Sequence, residues 1–261
     1  MADDLLKLDG FCADYGKGDI VRDVSFALEA GTLTALFGPN GSGKSTLLRG
    51  LAGRIETAGR AQLAGKNLLK MRARRRERMV SYLPQHCDVT FSVPVREVVY
   101  MGFRPSMHAL SRPNRAMRAE AERALAFFGL EGRADDDFID LSGGQRQRAL
   151  LARVMVRHAP LALLDEPDTA LDPEGRALVL ARIREMVREG RAAGLICMHD
   201  INYAVRACDR IIVMAHGRVT GDLCLDDASP DDLQAVLESA YGPLALERRG
   251  GRYFITPAAQ E

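Results

Sequence analysis

Short apolar runs bounded by glycine and proline mark the chain as a mixture of strands and helices. Near the start, Leu5–Tyr15 and Ile20–Leu28 are predicted to be short strands, and Val24, Phe26 and Leu28 alternate along the second. A compact apolar strand follows over Leu33–Phe37 and leads through a glycine-rich loop into a segment of helical character, Thr46–Ala52. The first third therefore predicts a β-rich edge region, followed by a strand, a loop and a helix.

Helical periodicity dominates the middle of the chain, between about Pro84 and Pro160. From there onward, apolar strand runs alternate with helices, which is the pattern of a parallel α/β sheet. The predicted class is therefore α/β, with a parallel-sheet core, an antiparallel β edge region and an inserted α-helical subdomain. One face of a helix in the middle region carries Met117, Ala121, Ala124, Leu125 and Phe128, and the later strand runs are Leu161–Leu164, Leu195–Met198 and Ile211–Met214.

Start and stop signals define the elements of the last third. A helix after Asp172 has Pro173 at its first position and Gly190 just past its end. Another helix is predicted to start at Ser229-Pro230. The tail then predicts a hairpin, in which Gly250-Gly251 joins Leu244–Arg249 to Arg252–Ile255.

Composition narrows the class of protein. With 47% hydrophobic and 27% charged residues, the 261-residue chain is an ordinary globular mixture that can bury a sizeable core. The 36 Lys and Arg nearly balance the 35 Asp and Glu, so charge offers no case for nucleic acid as a partner. Odd in number and without a CxxC pair, the cysteines are expected to be reduced, mostly buried thiols of a cytosolic protein. They are Cys12, Cys87, Cys197, Cys208 and Cys224.

Membrane insertion is not expected. The start, Met1–Asp9, carries the acids Asp3 and Asp4 instead of a basic region followed by an apolar run, so no signal peptide is predicted. Every apolar stretch is broken well before the roughly 18 to 20 residues needed to span a bilayer. Any role at a membrane is therefore expected to be peripheral.

The glycine-rich loop after Leu33–Phe37 matches the pattern G-x-x-x-x-G-K-[ST]. Its glycines let backbone N–H groups converge on phosphate oxygens, and the next helix directs its positive end at them. Lys44 is expected to neutralise the β and γ phosphates, and the Ser45 hydroxyl to ligate Mg²⁺. A chance match is disfavoured because the loop joins a strand to a helix. The predicted nucleotide-binding residues are Gly38, Pro39, Asn40, Gly41, Ser42, Gly43, Lys44, Ser45 and Thr46.

A second motif is the buried strand that ends in Asp165 and Glu166. Burying two carboxylates at a strand end is costly unless a cation or a reaction needs them. Asp165 is expected to hold Mg²⁺ through its water shell, and Glu166 to polarise the water that attacks the γ phosphate. The alternative is that the two acids are simply a solvated strand end. The presence of the glycine loop in the same chain disfavours this alternative.

A third motif, Leu-Ser-Gly-Gly-Gln-Arg-Gln-Arg over 141–148, opens a predicted helix that runs to about His158. It again places a serine hydroxyl and backbone N–H groups at a positive helix end. A plain helix cap would explain the serine but not the whole octet. The motif therefore predicts a second anion site, made of Ser142, Gly143, Gly144 and Gln145.

These three motifs, in this order, resemble those of the nucleotide-binding domain of the ABC ATPase family, and the resemblance extends over essentially the whole chain. It implies a P-loop NTPase core and a single ATP-binding domain over 1–261, with a helical subdomain over about 86–158 and a C-terminal extension over about 220–261. In that family the glycine loop of one protomer and the Leu-Ser-Gly-Gly-Gln segment of the other close over the same ATP. The resemblance therefore implies ATP and Mg²⁺ as ligands and a homodimer as the working form.

The resemblance also assigns roles to four weaker positions. Tyr15 matches the aromatic residue that stacks on adenine, and Gln85 is similar to the glutamine that contacts Mg²⁺ and reports nucleotide state to the membrane partner. His199 resembles the switch histidine that holds the γ phosphate. Asp172 matches the loop that crosses the dimer interface, with Thr169 where many members have serine. The predicted catalytic residues are thus Lys44, Gln85, Glu166 and His199, and the predicted metal ligands are Ser45, Gln85 and Asp165.

Each weak position has a plain structural alternative. Tyr15 fits an edge aromatic, Gln85 a solvated loop residue, Asp172 a helix cap and His199 a core histidine. For any one of these residues alone, the structural alternative would be favoured. The spacing from the three strong motifs favours the functional roles instead. The basic run Arg72–Arg78 is interpreted as a solvated face, with a contact to lipid headgroups or to the permease as the alternative.

Two further segments, 95–105 and 199–210, resemble the subgroup that serves iron-siderophore, haem and cobalamin uptake. The resemblance implies an importer with two membrane permease subunits, an extracytoplasmic substrate-binding protein and two copies of this chain. The chain would then act peripherally, at the cytoplasmic face of the inner membrane. No nucleic acid is expected as a partner.

Other functions within the same family stay open. The chain also fits the ATPase of another metal importer, such as one for zinc or manganese, or of an exporter. Soluble members in DNA repair carry long coiled-coil insertions, and those in translation usually carry two cassettes with a charged linker, neither of which this sequence has. A soluble ATPase of cluster assembly is the alternative hardest to exclude.

Overall fold

The computed structural model describes residues 4–16, 18, 20–86, 91–108, 111–226, 228–250 and 252–257. Twelve strands form two sheets and a hairpin in these residues. Asp3, Cys87 and Gly251, which the sequence analysis named, lie outside the described residues. The strands are β1 (Asp4–Asp14), β2 (Val21–Glu29), β3 (Leu33–Phe37), β4 (Glu56–Leu63), β5 (Lys66–Asn67), β6 (Val80–Leu83), β7 (Leu161–Asp165), β8 (Ala193–Cys197), β9 (Arg210–Ala215), β10 (Arg218–Cys224), β11 (Leu244–Arg249) and β12 (Arg252–Pro257).

Helices connect the strands and make up most of the middle of the chain. None of the helices in the described residues is long and apolar enough to cross a bilayer. Two short 3₁₀ helices, Met101–Ser106 and Phe138–Asp140, flank the fourth α-helix. The α-helices are α1 (Lys44–Leu51), α2 (Ala73–Met79), α3 (Val95–Tyr100), α4 (Arg115–Phe127), α5 (Gly143–Met155), α6 (Pro173–Glu189), α7 (Ile201–Ala207) and α8 (Pro230–Tyr241).

The main sheet has the order β10-β9-β3-β8-β7-β6 and is parallel except for β10, which pairs antiparallel with β9. Apolar clusters cover both of its faces. In β3, for example, Ala35 and Phe37 face one cluster and Leu36 the other. A strand buried on both faces is apolar without interruption, which explains the short apolar runs of the sequence. The predicted α/β class with a parallel core is confirmed.

The second sheet is antiparallel, with the order β2-β1-β4-β5, and forms the edge region predicted from the first third. Its strand β4 and the main-sheet strand β10 were not predicted. Only Ala61 and Leu63 of β4 are buried, and β10 has no buried residue. Pairing with a neighbouring strand, rather than hydrophobic alternation, therefore defines both.

The carboxyl ends of β3, β6, β7 and β8 lie side by side at one edge of the main sheet. The glycine loop follows β3, Gln85 follows β6, Glu166 follows β7 and His199 follows β8. Neighbouring parallel strands bring such loops together, and this edge is where open α/β sheets bind ligands. The topology thus gathers residues that are far apart in sequence.

The arginine run on and around α2 is largely exposed, as expected, but it also makes specific contacts. Arg76 donates to the backbone carbonyls of Leu68 and Leu69, and the shortest bond to each is 2.9 Å. Arg74 and Arg78 donate to the carbonyls of Met107 and Pro105, at 2.7 and 2.6 Å. Arg74 and Arg78 are exposed, as predicted, and also tie α2 to residues 105–107, whereas the half-buried Arg76 ties α2 to the loop after β5.

The cysteines in the described residues are free thiols. Cys197 and Cys208 are buried, Cys12 is half-buried and Cys224 is exposed. The expectation of mostly buried thiols is therefore correct for only two of these four. Cys197 ends β8, one strand from the carboxylates at the end of β7.

Candidate functional site

The glycine loop begins at a position that only glycine can occupy. Gly38 has φ +147°, and a Cβ there would lie 2.1 Å from the backbone oxygen of Met214. At the other end of the loop, Gly43 precedes the first residue of α1 and supplies no side-chain cap. The first N–H groups of the helix are therefore left for a ligand, at the positive end of the helix.

Lys44 is 6% exposed and lies over the start of this loop. Its Nζ donates to the backbone oxygens of Gly38 and Pro39, at 2.7 and 3.1 Å. Burial lowers the pKa of Lys44 below its ordinary value, against the opposing effect of the nearby carboxylates. Among the described residues, the buried Ser42 Oγ lacks a hydrogen-bond partner. A polar group buried without a partner is costly, so these donors fit a phosphate chain that would pair with them.

Ser45 and Asp165 form the part of the site that fits Mg²⁺. Ser45 Oγ donates to Asp165 Oδ1 at 2.9 Å, and Asp165 is completely buried. Burial raises the pKa of Asp165, although the hydrogen bond from Ser45 opposes the shift. A hard cation with oxygen ligands would offset this buried charge. In the described part of the chain there is no cluster of three or more His, Cys, Asp or Glu that could hold a metal, so phosphate and water would have to complete the coordination.

Glu166 is the centre of a second group of side chains. Its Oε2 accepts a hydrogen bond from Gln85 Nε2 at 2.7 Å, and its Oε1 lies 2.6 Å from His199 Nε2. The Thr169 hydroxyl reaches the same carboxylate at 3.4 Å. Glu166 has φ +51°, a left-handed conformation that turns its side chain away from the line of β7. The loops after β6 and β8, together with Thr169 of its own loop, thus hold the Glu166 carboxylate, which directly follows Asp165.

Tyr15 lies at the edge of this group and is 46% exposed. Its hydroxyl accepts a hydrogen bond from Arg49 at 2.7 Å. Arg49 also lies close to Tyr82, whose hydroxyl donates to Asp165 Oδ2 at 3.4 Å. Burial raises the pKa of Tyr82 to about 12, so its hydroxyl stays protonated near neutral pH. The exposed ring of Tyr15 is available for stacking on a base, while its hydroxyl is anchored.

The segment that the sequence predicts as a second anion site lies in a different place. Ser142 caps α5 by accepting from Gln145 N at 3.3 Å, and Gln145 Oε1 accepts from Ser142 N at 2.9 Å. The segment lines a surface cavity of about 510 Å³ with residues 170–172. That cavity includes none of the described residues of the glycine loop. Asp172 caps α6 through a 2.7 Å bond from Gly175 N, so the cap interpretation is correct for its side chain.

The predicted site residues therefore fall into two sets. Lys44, Ser45, Gln85, Asp165, Glu166 and His199 come together at the sheet edge, and Tyr15 is bonded to Arg49, whose charge is near Asp165. Ser142, Gly143, Gly144 and Asp172 line the separate cavity. One chain does not bring the two predicted phosphate-binding segments into a single pocket.

Sequence reasoning missed Arg49, Tyr82 and Asp168. Arg49 is four residues after Ser45 on α1, so helical spacing alone places both on one face. Tyr82 is on β6, which was recognised only as an apparent strand before Gln85. Asp168 is 8% exposed and pairs with Arg176 at 3.2 Å. No sequence pattern signalled that acid, because its partner lies on a helix whose packing only the fold defines.

The family model described as ABC transporter matches residues 21–169. A cobalamin import ATP-binding protein, BtuD of Halobacterium salinarum, is 37% identical over 97% of this chain, and the chain spans 63% of that relative's length. A hemin import ATP-binding protein, HmuV of Pseudomonas entomophila, is 37% identical over 82% of this chain and 84% of its own.

Solved structures share the fold. The structure of cbiO1 from Clostridium perfringens, described as part of the ABC transporter complex cbiONQ, has a TM-score of 0.77 and 27% identity, covering 90% of this chain and 95% of its own. A dimeric ATP-binding cassette bound to ADP and Pi has a TM-score of 0.75 and 23% identity, covering 85% of this chain and 100% of its own. The second likeness concerns the fold alone.

Proposed function

This chain belongs to the ABC transporter family, and from that premise we propose that it is an ATPase subunit that binds and hydrolyses ATP to drive uptake through a separate membrane permease. The chain is one ATP-binding domain, with a helical subdomain over about 86–158 and a C-terminal extension over about 220–261. The observation that carries the proposal is the convergence of Lys44, the Ser45–Asp165 pair and Glu166 at the carboxyl edge of the main sheet.

The geometry supports a division of labour for hydrolysis. Lys44 and the loop N–H groups bind the phosphates, and Ser45 and Asp165 would hold Mg²⁺, which supplies charge neutralisation at the phosphates. Glu166 accepts the proton of the attacking water. In the structure, His199 and Gln85 both bond this carboxylate. When His199 turns to the γ phosphate, it releases one carboxylate oxygen for the water.

The separation of the two predicted anion-binding segments supports dimerisation. The segment 142–145 lies on a surface cavity away from the glycine loop of its own chain. A second copy placed head to tail brings its Ser142 hydroxyl and helix N-terminus to the phosphates bound by the first. The working form we propose is therefore a homodimer with two composite ATP sites.

Replacing Ser142 with arginine should block dimer closure and hydrolysis while leaving ATP binding to the monomer intact. The bulky cation would fill the position that the second chain's ATP must approach. We would measure turnover, ATP affinity and ATP-dependent size. Because Ser142 also caps α5, loss of the cap alone costs about 0.5 to 2 kcal/mol. The variant Ser142→Ala loses the same cap without the bulk, and full activity of Ser142→Arg would show that the site is not composite.

The transported substrate is proposed from relatives and from the segments 95–105 and 199–210. The relatives are import proteins for cobalamin and for hemin. We therefore place iron-siderophore, haem or cobalamin uptake first, with two permease subunits and an extracytoplasmic substrate-binding protein as partners. The chain would lie peripherally at the cytoplasmic face of the inner membrane.

Association with membranes should depend on the permease. Expressed alone, the protein should remain in the soluble fraction, and with its permease subunits it should sediment with membranes and co-purify with them. Fractionation with and without the permease measures this. Retention on membranes without any permease would contradict the proposal, and co-purification with soluble scaffold proteins instead would favour cluster assembly.

A further inference from the structure

Helix α8 and the hairpin β11–β12 form a unit at the end of the described chain, called here the C-terminal unit. It lies outside residues 21–169, the part matched by the family model. Helix α8 packs on the main sheet at β9 and β10, and Gln234 ties it to β11 by donating to Leu244 O at 3.0 Å. The unit therefore has a firm base on the sheet that carries the site.

Asn202 joins α7 to the free side of β12. Its Nδ2 donates to Tyr253 O at 2.9 Å, and Tyr253 N donates to its Oδ1 at 2.6 Å. The side-chain amide thus satisfies both backbone groups of one strand residue, as a neighbouring strand would. The Asn202 side chain thus occupies the place that a third strand would have beside β12.

Asn202 follows His199 by three positions in the chain. Asp200 caps α7 by accepting from Asn202 N at 2.9 Å, so His199 is followed at once by a bonded turn. The His199 side chain is 47% exposed, so packing around the imidazole does little to hold it. Its position depends on the backbone that the α7 start supplies, and Asn202 fixes that start to β12.

A second contact connects the C-terminal unit to the glycine loop. The Tyr241 hydroxyl, at the end of α8, lies close to the backbone N–H of Gly38. Tyr241 and His199 line one cavity of about 280 Å³ with Phe37 and Leu244. The C-terminal unit therefore lies next to the glycine loop at the end of α8. Through β12 it is bonded to α7, the helix that follows His199.

We propose that Asn202 is a positioning residue for ATP hydrolysis, which sets His199 relative to the glycine loop by clamping α7 to the C-terminal unit. This inference rests on the proposed function. A displacement of about 1 Å at a reacting group can reduce rate on the order of 10²-fold. Loss of the clamp should therefore lower kcat and leave ATP binding, which the glycine loop supplies, nearly unchanged.

The test compares two leucine substitutions in the full-length protein. Asn202→Leu removes both bonds to β12 at similar volume, and Gln234→Leu removes an anchor of the same hairpin that does not involve α7. We expect kcat to fall about 10- to 100-fold for Asn202→Leu, with KM for ATP changed less than about threefold. Gln234→Leu should keep kcat within about threefold of the wild type.

A second readout does not need turnover. Histidine-selective ¹⁵N NMR of the nucleotide-free protein, with the His199 signal assigned from a His199→Gln sample, reports the imidazole that lies 2.6 Å from Glu166. That signal should shift in Asn202→Leu and stay in place in Gln234→Leu. If Asn202→Leu does not fold, Asn202→Asp takes its place, because it keeps the acceptor for Tyr253 N–H and loses only the donor.

The outcomes separate the two claims. A wild-type protein that does not hydrolyse ATP would overturn the proposed function, whereas the NMR comparison would still decide whether Asn202 sets the His199 environment. An active wild type with equal kcat and equal His199 signals in both leucine variants would overturn the positioning role. A change in KM as large as the change in kcat would overturn it as well.

Discussion

Glu166→Gln is expected to reduce ATP turnover by about 10² to 10⁴ while leaving ATP binding intact. Glutamine keeps the length of the side chain, but it cannot accept the proton of the attacking water. In the structure the carboxylate meets Gln85 at one oxygen and His199 at the other. The glutamine keeps one oxygen that can accept a hydrogen bond, and an NH₂ group takes the place of the other oxygen. Only the partner that meets this NH₂ group must rotate its side chain.

The binding of Mg-ATP should persist in this variant, because Lys44, Ser45 and Asp165 are unchanged. Two ATP molecules should then remain held between two protomers, and the protein should shift from monomer to dimer when ATP is added. We would measure turnover and ATP-dependent elution volume side by side, with the exposed Glu131→Gln as a matched control. Near-normal turnover would remove Glu166 from the role of base, and lost turnover without a dimer would leave the head-to-tail model unsupported.

Lys44→Ala is expected to weaken ATP binding by about 30- to 1,000-fold, which corresponds to about 2 to 4 kcal/mol. The ammonium is nearly buried, so its attraction for phosphate is poorly screened by water. The substitution also frees the oxygens of Gly38 and Pro39 that Lys44 bonds. Hydrolysis should fall with binding.

Titration of ATP by calorimetry, with turnover at saturating and limiting ATP, would measure this effect. The matched control is Lys66→Ala, an exposed lysine away from the glycine loop. Unchanged affinity and turnover in Lys44→Ala would contradict the assignment of the loop. A change in melting temperature similar to that of the control would show that the loss is local to the site.

Strands buried on both faces were the most predictable parts of the fold. The strand over Leu33–Phe37 has the predicted limits, and α6 begins at Pro173 and is capped by Gly190, as its start and stop signals indicated. The predicted tail hairpin is present as β11 and β12. Helix α5 ends at Met155, somewhat before the predicted end near His158. Continuous burial and local capping are encoded by residues close in sequence, so patterns alone identify such elements.

The amino-acid sequence by itself determined the chemistry available: a phosphate loop, two carboxylates at a strand end and a serine-glycine helix start, each specified within a few adjacent residues. Only the tertiary structure decided which groups meet. It placed Gln85 and His199 on the same carboxylate, bonded Arg49 to Tyr15 and Tyr82 to Asp165, and clamped Asn202 to Tyr253. The physical reason is that hydrogen bonds between distant segments depend on strand order and register, which no local periodicity encodes.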